Sequence, residues 1–369
     1  MSKNMIYHVP YPLGLKTNAA SSIRPQQMLE AFRKSGFNVT VVSGYVAERK
    51  LAIRAIKSEI SEGKIFDFLY SESSTMPTPL TEKDHLPRAP LMDYLFFYYC
   101  KKRGIKISLF YRDIYWRFPN YGKHLTIFKK VLALSFYYFE LLMYKFTLNT
   151  MYLPSLAMAK HIPFIPQKKF RDLPPGTALV KAQPETVELV DNKLRLFFVG
   201  GVGHNYQMHE LFSAVYETAG VELIFCTPEE QWEEFKHEYI GFLGSNIKIV
   251  HEAGDELSTI YESIDITMLF VKQHKYWDFA VPVKIFEYMG HGKPVIGSKG
   301  GQIEKIISQY SAGWCVEYSS EALQDLFRFL KLNKHQIENI SNNLGAKHSD
   351  FSWDNRAKQV IDFVSKCKS

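Results

Sequence analysis

Residues 281–304 read VPVKIFEYMGHGKPVIGSKGGQIE, and this stretch decides the fold. Pro282 suits the first turn of a helix, where a missing N–H costs nothing. Lys284 and Glu287 then fall three positions apart, on one helical face. An ammonium there can neutralise phosphate, and a carboxylate can accept hydrogen bonds from ribose or sugar hydroxyls. Residues 292–297 (GKPVIG) make a tight turn into a buried strand, and Ser298-Lys299-Gly300-Gly301 leads into a second helix. A glycine pair opening a helix exposes backbone N–H groups at its positive end, which suits an anion. Each piece alone has an ordinary reading, a solvated Lys/Glu face or a plain turn. Together, at the carboxyl ends of consecutive strands, they describe a phosphate site.

The surrounding chain repeats the same alternation. Before the decisive stretch, residues 194–199 form a strand that ends in Gly200-Gly201. A helix (206–219), a strand (221–226), a helix (228–239) and strands at 247–251 and 266–270 follow. A strand at 294–297 and an amphipathic helix at 354–366 come later. The N-terminal half predicts strands at 5–9, 38–43, 66–70 and 105–111, and a helix at 25–35 ended by Gly36. Strands alternating with amphipathic helices give parallel sheets. Residues 171–192 hold several prolines and no clean period, so they read as a connection. The expected architecture is α/β with two Rossmann-like domains, 1–170 and 193–350. Residues 351–369 form a closing helix expected to return to the first domain. One large doubly wound sheet is the alternative.

Composition bounds the function. With 46% hydrophobic and 22% charged residues, the chain holds enough apolar material for a core and is not globally disordered. A net charge of +7 favours an anionic partner: nucleotide phosphate, an anionic membrane or nucleic acid. Cys100, Cys226, Cys315 and Cys367 make no CxxC spacing, so neither a zinc site nor a redox pair is expected. The N-terminus shows no signal-peptide pattern, which places the expected location in the cytoplasm.

The pattern P-x-K-x-x-E-Y-M-x-x-G-K-P-V-I-x-S-x-G-G-x-x-E resembles the donor-site segment of family-4-type GT-B glycosyltransferases. Residues 194–201 (LRLFFVGG), 249–268 and 351–353 (FSW) resemble further parts of that family's C-terminal domain, and 38–44 its second N-terminal strand. The resemblance implies two domains facing across a cleft and a nucleotide-sugar donor, with UDP favoured and GDP open. It places Lys284 on the donor diphosphate and Glu287 on the ribose or donor end. It puts Gly300 and Gly301 N–H groups on phosphate and the base near His251 and Glu252. Gly200 and Gly201 would let the cleft close over the phosphates. Two departures stand out. The position of the family's other acid is Phe279, with Asp278 the nearest carboxylate, and the turn 201–206 lacks the usual Arg and Lys. A variant set that includes bacterial exopolysaccharide glucuronosyltransferases shares this pattern, so retaining and inverting chemistry both stay open.

No Asp-x-Asp motif occurs, so no metal and no cofactor beyond the nucleotide-sugar co-substrate are expected. An inverting enzyme needs a base for the acceptor hydroxyl. Asp113, just past the strand 105–111, is the first candidate, with Arg112, Tyr115 and Trp116 able to flank a sugar. Its plain alternative is a carboxylate that caps a helix or ties down a loop. His8, Glu72 and His85 are the other base candidates, and in a retaining reaction Asp278 would lie near the donor sugar. Asn18 and Arg24 are acceptor or phosphate candidates. The aromatic and basic runs 91–103 and 123–149 are too short in apolar length to span a bilayer. They read either as interfacial helices at the inner face of the plasma membrane or as buried core helices. A membrane contact would make the acceptor a lipid-linked saccharide. Other readings are an epimerase-type GT-B enzyme or a non-catalytic nucleotide-binding protein. No RNA-binding motif favours nucleic acid.

Overall fold

The computed structural model describes residues 3–14, 20–119, 121–123, 125–178, 193–204, 206–254 and 256–366. The chain forms two compact units, residues 1–175 with 353–369, and residues 176–352. In the first unit β1 (Lys3–His8), α1 (Ala20–Lys34), β2 (Phe37–Val42), α2 (Val46–Ser61), β3 (Phe68–Glu72) and α3 (Met92–Lys102) lead into β4 (Lys106–Phe110). Then come α4 (Ile127–Thr147), β5 (Thr150–Leu153) and β6 (Phe170–Asp172). The sheet order is β2-β1-β3-β4-β5-β6, with every pair parallel.

The second unit runs β7 (Leu194–Val199), α5 (His209–Glu217), β8 (Val221–Cys226), α6 (Glu229–Phe235), β9 (Ile247–Val250), α7 (Glu256–Ser263) and β10 (Ile266–Leu269). It continues with α8 (Val283–Gly290), β11 (Val295–Ser298), α9 (Gly301–Tyr310), β12 (Gly313–Val316), α10 (Ser320–Leu332) and α11 (Lys334–Ala346). Its order is β12-β11-β10-β7-β8-β9, again all parallel. The last helix, α12 (Trp353–Lys366), returns to the first unit and packs on α1. Trp353, Ala357, Val360 and Val364 join a core with Met28, Phe32 and Tyr152.

Strands such as β3 and β10 are buried along their whole length, as a parallel sheet covered on both faces requires. In each sheet the strand order reverses direction beside the first strand of the series. That point lies between β1 and β3 in the first sheet and between β7 and β10 in the second. Ligands of such sheets bind outside the carboxyl ends at this switch point.

Several boundaries differ from expectation. The connection begins later than residue 171, because Phe170–Asp172 completes the first sheet as β6; residues 179–192 lie outside the described residues. Helix α1 starts at Ala20, with Pro25 inside it, and the Pro25 carbonyl accepts the Tyr7 hydroxyl at 2.7 Å. Helix α5 starts only at His209, because Gly203 and Tyr206 bridge a turn ahead of it.

At the switch point of the first sheet the polar residues are tied inward. The His8 ring meets Ser71 Oγ at 2.8 Å and Asp93 Oδ1 at 3.0 Å. Arg49 donates to both Asp93 oxygens at 3.1 and 3.2 Å, and to the Pro10 and Gly44 carbonyls. Arg24 donates to Glu72 at 3.1 Å and lies 3.4 Å over the Phe110 ring. Removing one member of a buried charge network strands the others. Asp93→Ala is therefore expected to destabilise the first unit by about 3–5 kcal/mol, read as a shift of its urea unfolding transition.

Candidate active site

The second sheet places its switch point where β7 runs out into Gly200. The Gly200 N–H donates to the Cys226 carbonyl at 2.9 Å, extending the ladder by one residue. Its φ of 147° lies in the region that favours glycine. A Cβ there would also collide with the Lys284 ammonium, which fills that space. Lys284 reaches it from the first turn of α8, with Nζ 4.6 Å from the Phe198 ring and 4.3 Å from the Tyr206 ring. Phe198 stacks on Phe225 at 4.8 Å, and Tyr206 sets its edge against Trp277 at 5.2 Å, so the aromatic walls are braced.

Among the described residues the ammonium has ring faces for neighbours and no hydrogen-bond or ion-pair partner. Burial pushes its pKa down to about 7, against a smaller upward pull from Glu287. Burial raises the pKa of Glu287, opposed by the Tyr261 hydroxyl beside it and by Lys284. A desolvated cation with backbone at close range is poised for an anion.

The rest of the predicted donor site gathers around this pair in part. The loop between β10 and α8 is pinned to the start of α9. Gln302 N–H donates to the Trp277 carbonyl at 2.9 Å and Gln302 Nε2 to the Asp278 carbonyl at 2.7 Å. Gln273 Nε2 donates to Ser298 Oγ at 2.8 Å. Gly301 has a φ of 66°, and a Cβ on it would run into the Trp277 carbonyl, so this glycine is needed for the close approach of the loop. The expectation that both glycines offer N–H groups is corrected. The Gly300 N–H is taken by Glu304 Oε2 at 2.8 Å, a carboxylate capping its own helix.

Gly201 lies against Gln231, whose Oε1 accepts the Val202 N–H at 3.2 Å. His251 and Glu252 are exposed past the end of β9. The His251 ring meets the Thr227 carbonyl at 2.7 Å, and the Glu252 carbonyl accepts from Cys226 Sγ at 3.2 Å. Glu256 beside Glu252 raises the Glu252 pKa. Asp278 is exposed, whereas Phe279 is buried against Tyr276.

The predicted acceptor-side residues of the first unit fare differently. Asp113 follows β4 and is half-buried, and its Oδ1 accepts the N–H groups of Ile114 and Tyr115 at 2.6 and 3.0 Å. Arg112 donates to the Tyr11 hydroxyl at 3.1 Å. Burial pushes the Tyr11 phenol up to about 12. Trp116 is corrected: it is buried, stacks flat on Tyr137 at 4.7 Å and donates to the Tyr111 hydroxyl at 3.2 Å, so its face is spent on packing. Arg24 is corrected likewise, being a buried partner of Glu72. His8 and Glu72 are withdrawn as bases, since both are locked inside the networks described above. His85 is exposed, with its ring against the Leu80 carbonyl at 3.1 Å. Asn18 lies outside the described residues. The aromatic walls around Lys284, Phe198 and Tyr206, escaped the sequence reading. Their signal was present in the aromatic ending of β7 and the aromatic residue just after the Gly-rich turn.

Residues 193–330 match the family model described as glycosyl transferases group 1. The chain has the GT-B fold, and its second unit is similar to a glycosyltransferase domain. The family match lies in the second unit, and the fold likeness runs the full length. HepE of Anabaena, solved in complex with UDP-glucose, superposes with a TM-score of 0.64 at 13% identity, over 98% of this chain and 99% of that one. Sucrose-phosphate synthase from Thermosynechococcus elongatus gives 0.65 at 13%, over 99% of each chain. WaaG, a glycosyltransferase involved in lipopolysaccharide biosynthesis, gives 0.59 at 12%, over 98% and 99%. No curated protein matches the chain by sequence.

The displaced pKa of Lys284 has a stability consequence. Its folded value of about 7 lies below the ordinary lysine value of 10.5. The fold therefore disfavours the ammonium fully below pH 7, and the penalty fades as pH rises toward 10.5. Lys284→Met is expected to raise the ligand-free denaturation midpoint most at or below pH 7 and least near pH 10, measured as thermal midpoint against pH. Gly200→Ala is expected to displace the ammonium and to abolish anion binding at this site, read by calorimetry with a nucleoside diphosphate.

Proposed function

We propose that this protein is a glycosyltransferase that moves a sugar from a nucleotide-diphosphate donor, a UDP-sugar by preference, to a glycan or lipid-linked saccharide. The setting would be bacterial surface polysaccharide or glycoconjugate synthesis. The observation that carries the donor half is the Lys284 ammonium, held against Gly200 at the switch point with no anionic hydrogen-bond partner among the described residues. A diphosphate placed there would give the cation its missing counter-charge and stabilise the leaving group as the glycosidic bond breaks. No divalent metal is needed for that neutralisation in this reading. Glu287, half-buried one turn on, would take ribose or sugar hydroxyls. The HepE complex with UDP-glucose supports the choice of uracil.

On the acceptor side Asp113 remains the leading group. With Oδ1 fixed by two backbone N–H groups, the carboxylate has a set orientation past the end of β4. It would serve as base in an inverting reaction or hold sugar hydroxyls in a retaining one.

The first unit also supports a peripheral contact with the inner face of the plasma membrane. Helix α4 buries one face, Ala133, Tyr137, Glu140, Leu141, Tyr144 and Thr147. The buried Glu140 carboxylate accepts the Thr78 N–H at 2.8 Å. Its other side leaves Ile127 84%, Phe128 77% and Phe146 58% exposed, with Lys129, Lys130 and Lys145 on the same helix. Exposed apolar groups among lysines suit an anionic interface. No described helix is long and apolar enough to cross a bilayer.

Thermal shift with UDP, GDP and ADP tests the donor half. UDP is expected to raise the midpoint equally with and without EDTA, and Lys284→Ala to remove the gain; no response to any of the three would overturn the reading. Because a bound diphosphate favours the ammonium, UDP affinity is expected to fall by up to about tenfold per pH unit above 7. Asp113→Asn keeps an Oδ1 acceptor for the loop but loses the basic oxygen. It is expected to cut turnover at least about tenfold while the UDP-induced shift stays unchanged, measured by donor consumption with acceptor present.

A further inference from the structure

A cavity of about 340 Å³ opens in the first unit at the amino ends of β4 and β5, far along the strands from Asp113. Lys101, Lys106, Lys168, Lys169 and Arg171 line it, and no carboxylate does. Three of these cations have work inside the fold. Lys101 donates to the Phe146 carbonyl at 2.6 Å, and Lys169 to the Lys145 and Leu148 carbonyls at 2.7 and 2.8 Å, which closes the C-terminal end of α4. Arg171 lies 4.8 Å over the Phe363 ring. Lys106 and Lys168 make no ion pair or side-chain hydrogen bond among the described residues. Lys169 is held below the usual lysine pKa by burial and by the charges of Lys101 and Lys168, so the repulsion in the cavity is unrelieved.

A second observation points the same way. Ser108, in the middle of β4, lines the cavity, is 1% exposed, and its hydroxyl has no hydrogen-bond partner among the described residues. A buried hydroxyl without a partner costs free energy that a bound acceptor recovers. Like charges converging on a concave surface carry a similar cost, relieved by a bound anion.

We propose that this cavity is an anion site for a phosphate-bearing group, either a free phosphate ester or a phospholipid headgroup, separate from the donor site on the second unit. Neither the family likeness nor the donor chemistry requires it, and it stands whether or not Lys284 binds a nucleotide.

Calorimetry with inorganic pyrophosphate, together with flotation on phosphatidylcholine vesicles with and without phosphatidic acid, tests it. In wild type and in Lys284→Ala, pyrophosphate is expected to bind through a component that Lys106→Glu/Lys168→Glu weakens at least tenfold. The charge-neutral Lys106→Met/Lys168→Met is expected to weaken it less, and Ser108→Ala a few-fold. If the double reversal also removes flotation that depends on phosphatidic acid, the ligand is a headgroup; if flotation persists while pyrophosphate binding falls, it is a soluble phosphate. Phe128→Ser lowers flotation through α4 and leaves the pyrophosphate component intact. Equal pyrophosphate binding and equal flotation by wild type and both double variants, with unchanged thermal midpoints, would overturn the proposal.

Discussion

The close approach of the Lys284 ammonium to the Gly200 backbone sets the terms for the second unit. A residue with any side chain at 200 would occupy the volume the cation fills. The aromatic rings of Phe198 and Tyr206 then flank the cation without supplying a counter-charge. The placement has an energetic cost that Glu287 offsets only in part. Strain of this kind is kept where function uses it. The loop between β10 and α8 follows from the same logic. It is fastened to α9 by Gln302 and to the end of β11 by Gln273, so the helix that carries Lys284 enters from a fixed direction.

Much of this was legible in the sequence because it is local. The alternation of buried strands and amphipathic helices, the Lys284/Glu287 spacing and the glycines at 200 and 301 are written within short windows. The return of the last helix was readable too, as an amphipathic segment stranded after a complete series. What escaped was non-local. Nothing near Arg24 announces that Glu72 and the Phe110 ring will enclose it. Nothing beside Trp116 names Tyr137 as the ring that covers it. The Gly300 N–H is the local exception, since Glu304, four residues on, can either face solvent or cap its own helix, and spacing alone does not choose between them.

The two units use their switch points differently. In the first sheet the residues at the reversal, His8, Ser71, Asp93 and Arg49, satisfy one another, and burial holds the His8 pKa below its ordinary value. In the second sheet the corresponding place holds a cation without a hydrogen-bonding partner. One reversal is therefore closed by its own side chains, and the other awaits a group from outside. Polar chemistry in the first unit lies instead in the segment after β4, where Arg112, Asp113 and Tyr11 meet the surface.

The path of α12 has a consequence for how the chain matures. The second unit is inserted between residues 175 and 353 of the first. As the chain emerges during synthesis, the inserted unit is complete while its predecessor still lacks the helix that covers Met28, Phe32 and Tyr152. Domains tend to fold as units in the order they are made. Here the earlier one must wait, holding an open apolar face until residues 353–366 are released. The unit begun first is thus completed after the second, and loss of α12 would leave the second unit intact and the first incomplete.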